Sequence, residues 1–69
     1  MVRHSVDSSM ASTVGYDATT ETLEIEFRSG DVWRYHGVPK QVYLEMISGS
    51  IGQYFQAHIK GEYPESRVR

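Results

Sequence analysis

Apolar and polar side chains alternate strictly along Thr22-Leu23-Glu24-Ile25-Glu26-Phe27-Arg28, the pattern of a strand with one buried and one wet face. Upstream, Met10, Ser12, Val14 and Tyr16 alternate with Ala11, Thr13 and Gly15, which predicts a shorter strand whose mostly apolar face is the first of these sets. Asp17 to Glu21 forms a turn between the two, with the Asp17 carboxylate placed to accept from nearby amides. Val32-Trp33-Arg34-Tyr35-His36 is rich in strand formers and returns as a hairpin partner. Before Met10 the chain is Ser-rich and aperiodic, so residues 1–9 are expected to be a flexible terminus.

Two hairpin registers fit Ser29-Gly30-Asp31. A two-residue turn pairs Arg28 with Asp31 and puts Trp33 and Tyr35 on the side of Glu24 and Glu26. A three-residue loop with Gly30 in a bulge pairs Phe27 with Trp33 and Ile25 with Tyr35, which gathers one consistent hydrophobic face and is preferred for that reason.

Past Gly37 the period becomes helical. Pro39 suits the first helical position, and Val42, Tyr43, Met46 and Ile47 make one stripe with Leu44 at its margin. Gly49 can end this helix in the left-handed conformation and Ser50 can cap the next, whose buried face is Ile51, Tyr54, Phe55 and Ile59 before Gly61. Residues after Glu62 form an extended tail, because Pro64 disfavours helix at Tyr63. The expected fold is α+β: a three-stranded antiparallel meander over 10–17, 22–28 and 32–36, with short helices near 39–48 and 51–60 packed on one face. Residues 10–69 form a single domain. Leu23, Ile25, Phe27, Val42, Ile47, Phe55 and Ile59 are its expected core.

Composition then narrows the chemistry. At 69 residues, with 39% hydrophobic and 23% charged side chains, the chain is one small globular domain rather than a disordered segment. The absence of cysteine excludes disulfides, thiolate metal sites and cysteine nucleophiles, and makes the cytoplasm the simpler compartment. No apolar run is long enough to span a bilayer. A net charge of -2 is not that of a dedicated duplex-DNA binder. The charge is uneven, however. Residues 1–35 hold three basic against six acidic side chains, and residues 36–69 four against three.

Catalytic groupings are weak. His4, His36 and His58 have no metal-ligand spacing, no nucleophile elbow is present, and a solvated strand face accounts for Glu24 and Glu26 more simply than an acid–base pair. Trp33 and Tyr35 are more informative. Two residues apart on a strand, they share a face and can either stack unpaired bases or fill a core too small to do without them.

The order of these elements resembles the KTSC domain, a short module found at the C-terminus of some lysyl-tRNA synthetases and as free-standing bacterial and phage-related proteins. The resemblance rests on Ser8-Ser9-Met10, Val14-Gly15-Tyr16, Leu23 to Phe27 with its Ser29-Gly30 turn, Gly37-Val38-Pro39, Val42-Tyr43, Ser50-x-Gly52-x-Tyr54-Phe55, Tyr63-Pro64 and Arg67-Val68. The family's Tyr-x-Tyr motif is here Trp33-Arg34-Tyr35, which keeps the stacking ring and loses one phenol. Gln56 stands where the family is expected to carry Asn. No synthetase catalytic region is present, so the resemblance implies a non-enzymatic binding module. RNA, either tRNA or single-stranded, is its implied partner, through Trp33, Tyr35, Lys40, Lys60, Arg67 and Arg69. The alternative is a protein-interaction module that recruits a partner at a sheet edge. The expected state is a cytoplasmic monomer with no metal, cofactor, membrane or small-molecule substrate.

Overall fold

The computed structural model describes all 69 residues. Seven elements follow in chain order: β1 (Arg3–Ser5), β2 (Ala11–Asp17), β3 (Thr22–Phe27), β4 (Val32–His36), α1 (Lys40–Ile47), α2 (Ile51–Tyr54) and β5 (Glu65–Arg67). α2 runs on into a wider π-helical turn over Phe55–Ile59, where the Lys60 N–H donates to the Phe55 carbonyl five residues back at 2.9 Å. The sheet is antiparallel in the order β1-β2-β3-β4-β5. The expected three-strand meander is thus its centre. Two strands of three residues each join it from the N-terminal segment and the C-terminal tail, and both are too short to show a period of their own.

Parity across the sheet is set at the β3–β4 hairpin. The Phe27 N–H donates to the Asp31 carbonyl at 2.8 Å, the Gly30 N–H donates to the Phe27 carbonyl at 2.9 Å, and Gly30 adopts φ +97°. This is the three-residue loop with a glycine bulge. It pairs Ile25 with Trp33 and Leu23 with Tyr35, so the anticipated partners are corrected by two residues along the strand. A shift of two keeps the faces. Both aromatic rings therefore lie on the apolar side of the sheet.

In β2 the pairing passes from Ala11 opposite Phe27 to Thr13 opposite Glu26, a bulge with Ser12 as the extra residue. The expected alternation breaks there. Ala11, assigned by period to the outer face, is fully buried in the core beside Val14.

The two helices cover the apolar face, and Met46, Ile51, Phe55 and Ile59 pack against Val14, Leu23, Ile25 and Tyr35. The Phe55 ring meets Phe27 and Tyr35 edge to face at centroid distances of 5.6 and 5.4 Å. Three expected core positions differ: Phe27 and Val42 are only partly buried, and Ile47 is exposed because Met46 takes the inward position on α1. Pro39 is the N-cap of α1 rather than its first helical residue, and Ser48 ends the helix without a left-handed glycine. Ser50 does cap α2, its hydroxyl accepting from the Gln53 N–H at 3.4 Å.

The other face of the sheet is polar and is crossed by one row of paired residues, Arg3, Gly15, Glu24, Arg34 and Ser66. Glu24 is 5% exposed and lies between two guanidinium groups, Arg34 Nε at 2.7 Å and Arg3 Nη1 at 3.2 Å. Such a carboxylate is tolerated in a buried position because both of its oxygens are paired. Gly15 makes the row possible: a Cβ there would lie 2.5 Å from the Val2 carbonyl oxygen and 3.0 Å from Arg3 Cγ.

Phe55→Ala is expected to cost about 3–5 kcal/mol in chemical denaturation and Ile47→Ala less than about 1 kcal/mol. Comparable losses at the two sites would overturn this core. Gly15→Ala is expected to lower stability by about 1–3 kcal/mol and to speed amide exchange at His4 and Val6, the β1 positions that face β2 with their N–H groups, while sparing the β3–β4 hairpin.

Candidate functional site

The π-helical turn and the inner strands enclose a shallow groove of about 310 Å³. Trp33, Tyr35 and Phe27 come from the sheet, Phe55, Gln56 and Lys60 from the turn, and Met10 and Glu65 complete the lining. Each aromatic side chain arrives there through the hairpin parity described above. Trp33 is partly buried against the core and keeps part of its ring accessible. Tyr35 is only 3% exposed and its ring is engaged by Phe55. Its place at the groove wall leaves it no face on which a base could stack. The expected two-ring platform thus contracts to one ring, Trp33.

Burial, and secondarily the Glu65 carboxylate, pushes the Tyr35 phenol up to about 12. The phenols of Tyr16 and Tyr54 are also raised, chiefly by desolvation.

The basic residues singled out by sequence do not form one patch. Lys60 lines the Trp33 groove from an exposed position. Arg67 stands directly opposite Trp33 across the β4–β5 pair, with Nη2 donating to Asp31 Oδ1 at 2.8 Å. Arg69 instead donates to Glu26 Oε2 at 3.3 Å on the polar face. Lys40 borders a separate hollow with Tyr16 and Tyr43, whose rings stack at 4.9 Å. Trp33, Lys60 and Arg67 remain as a local cluster.

A second hollow of about 910 Å³ adjoins the groove, and the two share Met10 and Gln56 in their walls. Its sides are the Asp7 to Met10 segment and the start of α2, from Ser50 to Gln53. Ser8 shapes the first side, its hydroxyl accepting from the N–H groups of Met10 and Ala11 at 3.1 and 3.3 Å. Sequence reasoning missed this convergence, since the two segments lie forty residues apart and neither has a recognisable spacing. Beside this hollow, Glu45 accepts from Gln41 Nε2 at 3.1 Å and from the Tyr54 hydroxyl at 2.8 Å, and these bonds hold its carboxyl below the usual range. No group of three or more His, Asp or Glu side chains is placed to hold a metal ion, and no helix is long and apolar enough to cross a membrane.

The model of the KTSC domain matches residues 7–63. The chain belongs to the KTSC domain family. An uncharacterised protein of Stutzerimonas stutzeri is 34% identical over 64 residues, covering 91% of this chain and 90% of that one. A lysine–tRNA ligase of Trichormus variabilis is 47% identical over 49 residues, covering 70% of this KTSC domain but 9% of the ligase. A crystal structure of a KTSC domain protein from Yersinia pestis superposes with a TM-score of 0.95 at 33% identity, covering 99% of this chain and 97% of that one. The KTSC domain thus corresponds to about a tenth of the ligase and to nearly the whole of the two smaller proteins. Its β1 and β5 strands lie outside the matched residues 7–63, and the groove and hollow draw most of their walls from inside them.

The raised Tyr35 phenol has a consequence in alkali. Its folded value of about 12 lies above the value near 10 of an unfolded chain, so between these limits the native state binds more protons than the unfolded state. Stability is therefore present in full below about pH 10 and is lost as pH rises through about 12. Ultraviolet titration at the phenolate band is expected to show Tyr35 ionising last, and Tyr35→Phe to blunt the alkaline fall in melting temperature. An unchanged alkaline limb in Tyr35→Phe would refute the assignment.

Proposed function

We propose that this KTSC domain is a non-enzymatic module that binds single-stranded RNA at the Trp33 groove. The observation that carries this reading is the accessible part of the Trp33 ring, flanked by Lys60 in the groove and by Arg67 across the neighbouring strand. An aromatic ring offers any unpaired base a stacking surface, and two nearby cations suit the flanking phosphates. The occurrence of the same domain within lysine–tRNA ligases gives the reading a natural context. Binding is weak and local on this account, because Glu65 also lines the groove and the chain is net negative.

Anisotropy of a labelled single-stranded RNA is expected to report saturable binding whose logarithm falls with the logarithm of salt at a slope of about -0.7 to -1.4, as for one or two phosphate contacts on a single strand. Trp33→Ala is expected to weaken binding by roughly 5- to 150-fold, the range for loss of one stacked base, with far-UV circular dichroism unchanged. Equal binding by a folded Trp33→Ala protein would overturn the reading. Nuclease-resistant retention of a single protein partner, with no RNA response, would put a protein-recruiting module in its place.

A further inference from the structure

The groove and the larger hollow meet at Met10 and Gln56, yet their chemistry differs sharply. At the Trp33 end are an aromatic ring and the Lys60 cation, which offsets the Glu65 carboxylate in the same wall. None of the residues lining the Asp7 end is a cation, and the neighbouring Arg28 guanidinium is engaged at the Ser8 carbonyl, to which its Nε donates at 2.9 Å. This end is lined by the Gln53 and Gln56 amides and the Ser9 hydroxyl, all at exposed positions, together with the Asp7 carboxylate. With no lining cation to offset it, the Asp7 carboxylate disfavours phosphate in the hollow. Carboxamides present a donor and an acceptor side by side, which is the complement of a base edge. The two sides of the hollow are also fixed before any ligand arrives, by the Ser8 hydroxyl bonds to Met10 and Ala11 and by the Ser50 cap on Gln53.

We propose that the hollow is a second nucleotide subsite, which takes the uncharged base and ribose of the residue next to the one stacked on Trp33, and that Gln53 and Gln56 read the edge of that base. This rests on the RNA reading above and adds to it a division of labour. Trp33 and Lys60 supply sequence-independent affinity, and the two amides supply discrimination. Gln56 lies on the π-helical turn at the junction, where it borders both compartments. An isolated mononucleotide engages only one compartment, so the subsite requires at least two linked nucleotides.

Trp33 is the only tryptophan in the chain, so its fluorescence reports stacking directly. Titrations with adenosine, cytidine and uridine ribohexamers are expected to quench it with affinities spread by at least about fivefold, the lower end for one bidentate base contact. In the Gln53→Ala/Gln56→Ala protein the spread is expected to shrink to within about twofold, with the quench and the salt slope preserved. Lys60→Ala is expected to do the reverse, lowering the salt slope by about 0.7 and keeping the spread. Quenching by all three hexamers with equal affinity in the native protein, or a spread that survives the double substitution, would overturn the subsite while leaving the Trp33 groove intact. Absence of quenching by any hexamer would overturn both.

Discussion

Everything functional in this fold depends on the parity of one hairpin. Three loop residues, Arg28, Ser29 and Gly30, decide that Trp33 and Tyr35 share a face with Leu23 and Ile25 rather than with Glu24 and Glu26. A change of one residue in that loop would exchange the two faces of β4. Arg34 would then be driven under the helices and Trp33 out onto the ionic row. Gly30, at φ +97°, is the backbone element that makes this loop length comfortable. The polar row enforces the same choice from the other side, since Glu24 can accept from both Arg3 and Arg34 only when these residues face away from the helices.

Strong local patterns were legible in the sequence. The alternation of β3, the return strand, the two helices and the buried set Leu23, Ile25, Phe55 and Ile59 all follow from period and turn chemistry. Three features were not legible, each for a physical reason. β1 and β5 have three residues each, and their pairing is decided by what the sheet edge offers rather than by their own pattern. The bulge at Ser12 adds a residue that no period can announce, and it alone brings Ala11 into the core. In α1 the stripe holds both Met46 and Ile47; Ile47 was the expected core residue, and packing against the sheet turned Met46 inward instead.

The candidate site was legible in part. Trp33 and Lys60 meet as neighbours in one groove, but Tyr35 was absorbed by the core and Lys40 and Arg69 face elsewhere. In a domain this small an aromatic ring has two competing uses, and Phe55 claimed Tyr35 for packing. The hollow between the Asp7 to Met10 segment and α2 is a product of tertiary folding. Of the serines that border it, Ser50 was recognisable in the sequence as a helix cap, whereas Ser8 looked like the serine of any loop and instead fixes the backbone as a turn acceptor.

The placing of β3 at the centre of the sheet, with two strands on each side, also bears on how the protein behaves in crowded solution. Thr22–Phe27 is the stretch with the most regular strand pattern, the kind of segment that seeds intermolecular sheets when its backbone is bare. Here it is screened on both sides, and the edges offered to another chain are only three residues long, with an arginine in each. A stray strand arriving from outside finds a short, charged template. The chain thus keeps its stickiest segment farthest from its neighbours, and the edge strands can fray without exposing it.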